Sequence, residues 1–284
     1  MSAELFAIIS AFFLASSGVA ARIALIKKGS PFTAFLTFAS GTVLVWVLVL
    51  ILGSELPNRT GALFFILRGI IDPGIVAFII YIALRKIGIV FVTPIIAAYP
   101  LVSTLLSVIF LKEILTLFIA FGTFLIILGA VLLSFRRTQN KTHLKYIIMV
   151  GVSSSIIGLS AFITKFALNI SDTPVSGLAL SFTTGIIVQI LIITLFKKWK
   201  DLHMGWNNAK FFFLSGIFVS IGFVFGFLAF SKGDLIIVAP LVSMMPLFAL
   251  ILSHLILKKH ETITKNIIIG TVFIVLGVAI LALV

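Results

Sequence analysis

Two residues of opposite charge, Arg68 and Asp72, lie four positions apart inside a long apolar stretch of the chain. This spacing puts both side chains on one face of a helix, where they can form an ion pair. Charges at membrane depth are costly and usually face a bundle interior or a cavity. Two interpretations therefore stay open. The pair is structural, or it is functional: either Arg68 faces an anionic group of a solute or Asp72 accepts a coupling proton.

Arg22 and Lys165 are two further cations within apolar runs, 143 residues apart. If the chain is an inverted duplication, equivalent positions fall on opposite sides of the membrane midplane. The two side chains would then form cationic lips of a cavity and favour carboxylate or phosphate solutes. The alternative is that each side chain extends to the nearer lipid head groups.

Four prolines inside apolar runs, Pro94, Pro100, Pro240 and Pro246, form two pairs with the same offset of 146 residues. Proline removes a helical hydrogen bond and bends the helix. Exposed carbonyls at such bends can bind a solute or provide a hinge, although proline in membrane helices also serves packing. We expect hinges here. The nearby side chains either line a cavity or pack between helices: Thr93, Tyr99, Ser103, Thr104, Ser243, Met244 and Met245.

A run of small residues between Gly151 and Ser160 contains Ser153, Ser154 and Ser155. Small residues allow helices to approach closely, so this run either packs against a neighbour or lines the cavity. Gln189, a lone polar residue in another apolar run, faces a solute or a neighbouring helix.

The same serines raise the alternative of an intramembrane hydrolase, with a nucleophile among 153–155 and His254 as the base. No G-x-S-x-G elbow supports it. The chain has no Cys, and its four His form no HxxxH pair. We therefore expect neither a metal site nor a cofactor.

The elements that position these residues are predicted to be membrane-spanning helices. Of the 284 residues, 61% are hydrophobic and 10% charged, and the mean hydropathy is +1.33. A soluble domain would need more charge to cover its surface. The net charge of +13 would suggest nucleic acid in a soluble protein. In a membrane protein, positive charge is typical of the short loops that meet lipid head groups, so we expect no nucleic-acid partner.

Ten apolar segments have the roughly twenty residues that a helix needs to cross the hydrocarbon core. Their length and lack of alternation exclude a transmembrane barrel. The first segment is expected to be a spanning helix rather than a cleaved signal peptide. The sequence thus predicts an all-α membrane protein of ten transmembrane helices. The segments are 5–26, 32–52, 62–84, 87–111, 115–135, 144–168, 175–196, 209–230, 235–257 and 266–284.

The segments repeat after the fifth. Pro31 recurs as Pro174, the proline pairs above share one offset, and Gly122 and Gly129 recur 148 residues later as Gly270 and Gly277. Five helices are an odd number, so two such units in one chain must lie in the membrane in opposite orientations. The predicted domains are residues 1–138 and 139–284.

Lysine and arginine are distributed unevenly between the predicted loops. The odd-numbered loops, with the first residues of the segments that follow them, hold fifteen of them and the even-numbered loops three. The positive-inside rule then places both termini outside the cytoplasm.

The stretch 111–133, which begins Leu-Lys-Glu, resembles the end of an EamA repeat of the drug/metabolite transporter superfamily. Residues 261–281 repeat the pattern, and Pro100 and Pro246 resemble the family's proline positions in the preceding helix. Residues 21–25 and 164–168, which contain Arg22 and Lys165, resemble the family's basic position in the first helix of each repeat.

The resemblance implies a ten-helix carrier of small metabolites in the cell membrane, with a central cavity between the repeats. It also implies that both termini are cytoplasmic, contrary to the loop charges. We expect alternating-access secondary transport of an amino acid or related compound by a monomer whose partners are its solute and lipids. Alternatives are an exchanger of phosphorylated sugars or nucleotide sugars, a channel and a lipid scramblase. No GxxxxGK[ST] loop indicates direct ATP drive.

Overall fold

The computed structural model describes residues 1–26, 29–134, 141–203, 205–257 and 265–281. In these ranges all regular secondary structure is helical. The α-helices are α1 (Ala3–Ile26), α2 (Ala34–Leu52), α3 (Arg59–Gly69), α4 (Val76–Ile87), α5 (Ile89–Ile96), α6 (Pro100–Leu106), α7 (Leu117–Ser134), α8 (Lys141–Ile170), α9 (Pro174–Leu195), α10 (Trp206–Lys232), α11 (Leu235–Val242), α12 (Met245–Ile256) and α13 (Lys265–Leu281).

Eight helical stretches are long and apolar enough to cross a membrane, which makes this a multi-pass membrane protein. They include the continuous stretches Arg59–Ile87, Ile89–Leu111 and Leu235–Ile256, each built from shorter helices. Two shorter apolar stretches, Leu117–Gly129 in α7 and Ile268–Ile280 in α13, coincide with the remaining two predicted segments. The all-α membrane class is confirmed, whereas a count of ten spans stays a prediction. The charged loops at 27–28, 136–140 and 258–264 and the boundary at 138 lie outside the described residues.

Large apolar side chains cover the outer surface of the bundle. Leu50, Leu117 and Leu195 are each more than three-quarters exposed. Such a surface is tolerated only where lipid replaces water. The buried interior holds small residues such as Ala7, Ala15 and their neighbours along α1, so the helix backbones pack closely.

Three of the spanning stretches are interrupted near their middle. Between α3 and α4, residues Ile70–Ile75 form a π-helical turn in which Asp72 has an extended backbone. Between α5 and α6 the chain turns at residues 97–99, directly before Pro100. Between α11 and α12 it turns at 243–244, just before Pro246. Turns are present before Pro100 and Pro246, whereas Pro94 and Pro240 lie inside α5 and α11. The use of these sites as hinges stays a prediction.

The two halves pack by equivalent contacts. Helix α1 packs along α10, and its counterpart α8 packs along α3 and α4. In α7 and α13, Gly129 lies against Gly270, while Gly277 lies against Gly122. The late glycine of each helix thus meets the early glycine of the other, so α7 and α13 run antiparallel. These equivalent helices of the two halves therefore point in opposite directions along the bundle.

Candidate functional site

A cavity of about 200 Å³ lies between the two halves of the chain. Its walls come from α1, α4 and α5 of the first half and from α8 and α10 of the second, with α2, α3, α11 and α12 adding single residues. Much of the lining consists of equivalent residues from the two halves, at the offsets found in the sequence. Examples are Ser17 with Ser160, Tyr81 with Phe227, and Tyr99 with Met245. The cavity therefore lies on the axis that relates the halves.

Arg68 and Asp72 both line this cavity. Arg68 Nη2 donates to Asp72 Oδ2 at 3.2 Å, and the two side chains are 3% and 13% exposed. The Arg68 guanidinium also lies over the rings of Phe223 and Phe227, with its carbon 4.8 and 5.2 Å from their centroids. Both rings belong to α10, so the cation contacts both halves of the protein.

The interruption after α3 sets the position of Asp72. At this turn the backbone leaves the regular helical hydrogen-bond pattern, and Gln189 Nε2 of α9 donates to the Pro73 carbonyl at 2.8 Å. A buried carbonyl without a partner is costly, so this bond stabilises the turn. Gln189 is fully buried and does not line the cavity. Of the two interpretations of Gln189, the structure places it against a neighbouring helix.

The ion pair has no counterpart in the second half. Ser181 Oγ donates to Phe65 O at 2.9 Å, and Thr37 Oγ1 makes the equivalent bond to Phe212 O at 3.3 Å. The two acceptors, Phe65 in α3 and Phe212 near the start of α10, are therefore equivalent positions, 147 residues apart. At that offset Arg68 corresponds to Ser215 and Asp72 to Val219. The charges are therefore a feature of the first half alone.

Other polar groups reach the cavity from several helices. Of the residues predicted from the proline regions, Thr93, Tyr99, Ser243 and Met245 line it. Tyr99 OH crosses between the halves and donates to Ala239 O at 2.8 Å. Thr93 and Ser243 donate to carbonyls of their own helices, Ile89 O and Ala239 O.

Arg22 and Lys165 are not among the residues that line this cavity, so their predicted role as cavity lips stays a prediction. Arg22 Nη1 donates to Leu84 O at 2.6 Å and Arg85 O at 2.9 Å, at the end of α4. Lys165 Nζ donates to Phe230 O at 2.8 Å and Gly233 O at 2.9 Å, at the end of α10. Each cation satisfies terminal carbonyls of the third spanning stretch of its own half and complements the helix dipole.

Several other predicted residues also lie away from the cavity. Ser103 and Thr104 are buried beside it, Met244 lies in the turn, and none of the four prolines lines it. Ser154 Oγ donates to Ile96 O at 3.0 Å, the carbonyl that Pro100 cannot bond, so its contribution is to the bend. Ser155 is exposed on the outer face of α8, where its hydroxyl donates to Gly151 O.

The hydrolase arrangement is not assembled among the described residues. Ser153 and Ser154 donate their hydroxyl protons to the carbonyls of Met149 and Ile96. His254 is exposed on α12.

Sequence reasoning missed four lining residues with clear chemical character: Ser10, Tyr81, Phe223 and Phe227. Tyr81 OH donates to Thr37 Oγ1 at 2.9 Å, and Ser10 Oγ has no hydrogen-bond partner within the described ranges. The matching offset of Tyr81 and Phe227 was available in the sequence. Their facing direction was not, because each helix is apolar on all sides.

Comparison with known proteins agrees with this architecture. The family model described as EamA-like transporter family matches residues 1–135 and, a second time, residues 144–283. A solved structure described only as "Crystal structure of protein" superposes with a TM-score of 0.75 at 18% identity, covering 99% of this chain and 96% of that chain. At such low identity the likeness shows the fold alone. No curated protein matches the chain.

Proposed function

The chain belongs to the EamA-like transporter family, and from this premise we propose that it is a secondary transporter of a small organic metabolite, an amino acid or related compound. The carrier works by alternating access, with the two halves rocking about the cavity between them. The protein acts as a monomer in the cell membrane, with its solute and lipids as partners. The broken stretches α5–α6 and α11–α12 serve as its hinges.

The observation that carries this proposal is the paired lining of the cavity. Equivalent residues of both halves face one space, so a relative movement of the halves opens it to one side and then to the other. The bends lie next to this space, since Tyr99 and Ser243 belong to the two turns and also line it. A solute bound there is in reach of both halves.

The proposal includes ten spans in two inverted units, with α7 and α13 as the fifth and tenth. The antiparallel crossing of these two helices supports that arrangement. The capping cations of the two halves support it as well. Arg22 of α1 bonds the end of α4, and Lys165 of α8 bonds the equivalent end of α10.

Cavity size favours an amino acid-sized solute over the sugar alternatives. Pockets for drug-sized ligands measure about 300–1,000 Å³, whereas this cavity is about 200 Å³. A nucleotide sugar would also bring phosphate charge to a site whose charged lining, among the described residues, is one guanidinium beside one carboxylate.

Counterflow in proteoliposomes tests the transport proposal. Vesicles loaded with a metabolite pool should accumulate labelled solute transiently, and uptake should saturate with concentration. Linear uptake without counterflow would identify a channel instead. The substitution Phe227→Trp, which enlarges a side chain that is 1% exposed and lines the cavity, should reduce uptake. Phe213→Trp on the same helix, 37% exposed, is the matched control and should leave uptake unchanged.

Single-cysteine labelling tests the inverted arrangement. The chain contains no Cys, so an introduced cysteine is the one thiol that the reagent can label. Lys86 and Lys232 are exposed, equivalent positions at the ends of α4 and α10. Lys86→Cys and Lys232→Cys should be labelled by an impermeant maleimide from opposite sides of the membrane. Labelling from the same side would refute the inversion. The side that labels Lys86→Cys also decides between the loop charges and the family resemblance.

A further inference from the structure

The Arg68 guanidinium belongs to a residue that lines the cavity and keeps two hydrogen-bond donors unused. The residue is 2% exposed, and Nη2 is engaged by Asp72. Nε and Nη1 have no hydrogen-bond partner in the part of the chain that the structure describes. Buried donors without partners are costly and rare. An ion pair that served only packing would be expected to bond them. Both donor atoms are buried in this conformation, so a ligand bonds them only when the side chains around the guanidinium move aside.

The fold itself does not require a charge at this place. The second half builds the same helix contacts with Ser215 and Val219 in the equivalent positions. Retaining a buried ion pair in one half is costly relative to apolar packing. The asymmetry therefore points to a ligand that approaches the cavity wall of the first half.

The surroundings hold this pair in a fixed geometry. Two rings, Phe223 and Phe227, lie against the guanidinium and leave its donor edge as the bonding direction. The Asp72 carboxylate is held at the turn after α3, whose Pro73 carbonyl is bonded by Gln189. A guanidinium and a carboxylate held side by side in this way are suited to a ligand that carries both a negative and a positive group.

Resting on the proposed transport function, we propose that Arg68 and Asp72 are the docking site for a zwitterionic solute. The carboxylate of the solute accepts from Arg68 Nε and Nη1, and its ammonium group donates to the Asp72 carboxylate. The site is neutral as a pair, and a zwitterion keeps it neutral. A monoanion or monocation would add an unbalanced charge to a space enclosed by apolar helices, which is unfavourable at membrane depth.

The remainder of the cavity selects the side chain of the solute. Its lining includes Phe38, Phe223, Phe227 and Phe230, of which Phe223 and Phe227 lie against Arg68. The cavity, about 200 Å³, is smaller than a typical pocket for a drug-sized ligand. The fitting ligand is therefore a compact zwitterion with an apolar side chain.

Binding to purified protein tests the charge requirement. The probes are the protein amino acids at millimolar concentration, with 2-phenylethylamine and 3-phenylpropionate as single-charge analogues of phenylalanine. At least one apolar amino acid should raise the melting temperature and bind roughly tenfold to a hundredfold more tightly than its analogue lacking either charged group. Equal binding of an analogue, or no shift with any amino acid, would overturn the proposal.

Two double variants separate docking from structure. R68S/D72V introduces the residues of the second half, so folding should be retained and amino acid binding should fall by a similar factor. R68D/D72R keeps an ion pair of reversed direction and should also lose binding. Unchanged binding in either variant with a retained melting temperature would assign the pair to packing.

These outcomes are distinct from failure of the transport proposal. Counterflow of an uncharged or singly charged metabolite that persists in R68S/D72V would refute the docking site and leave transport standing. Tight, Arg68-dependent amino acid binding without counterflow would refute transport and leave the docking site standing.

Discussion

Replacing Lys165 by Met decides whether this cation binds solute or caps a helix. Its Nζ donates to Phe230 O and Gly233 O at 2.8 and 2.9 Å, and the residue is 8% exposed. Methionine keeps an apolar stem of similar length, so the change removes mainly the charge and these two bonds. The capping interpretation predicts loss of stability without direct loss of solute affinity.

The expected magnitude follows from the two bonds. Each hydrogen bond from a charged donor contributes about 1.5–3 kcal/mol, so the free energy of unfolding should fall by about 3 kcal/mol or more. For a chain of this size, each kcal/mol corresponds to roughly 2–4 °C in melting temperature. We therefore expect a decrease of about 6 °C or more.

Intrinsic fluorescence melting in nanodiscs measures this shift, since the chain has three Trp. Lys232→Met is the matched control, because Lys232 is exposed in the last turn of α10 and carries the same charge. Its melting temperature should change by about 1 °C or less, as for most surface substitutions. An unchanged melting temperature in Lys165→Met together with weaker binding of an amino acid would refute the capping interpretation and restore the cationic lip.

Three further predictions address the crossing of α7 and α13, the bend between α5 and α6, and the turn after α3. Gly277→Ala places a Cβ 2.5 Å from the Gly122 carbonyl oxygen and should lower thermal stability by about 1–3 kcal/mol; Gly151→Ala, with open space around it, should be neutral or slightly stabilising in the same melt. Tyr99→Phe removes the hydrogen bond from Tyr99 OH to Ala239 O, one of those that join the two halves. The rate of counterflow should change more than the binding affinity. The opposite pattern would argue against a role in movement. Gln189→Leu leaves a buried carbonyl unbonded and should cost about 1–3 kcal/mol and weaken amino acid binding indirectly, whereas an unchanged melting temperature would show that the turn does not need this bond.

Some features of the site were within reach of the sequence. The four-residue spacing of Arg68 and Asp72 predicted an ion pair, and the pair is present at 3.2 Å. The proline pairs predicted bends, and the chain turns beside Pro100 and Pro246. Both are local effects, since they depend on helix geometry and on the missing amide of proline.

The contacts of other predicted residues depend on distant partners, which the sequence does not reveal. The carbonyls that Lys165 caps lie 65 and 68 residues further along the chain. The Ile96 carbonyl that Ser154 bonds lies 58 residues before it. Burial of a polar side chain in an apolar segment leaves no periodic signal when the opposite face is apolar too, because lipid accepts the same side chains as the core.

The sequence by itself determined the membrane class, the helical segments and the repetition, because hydrocarbon thickness fixes segment length and duplication leaves equal offsets. Only the tertiary structure decided which faces meet in the cavity. It alone showed that the charges of Arg68 and Asp72 have neutral counterparts, Ser215 and Val219, at an offset that the sequence did not reveal. The physical reason is that close packing of apolar helices is set by shape and by hydrogen bonds between distant segments, neither of which is written in local composition.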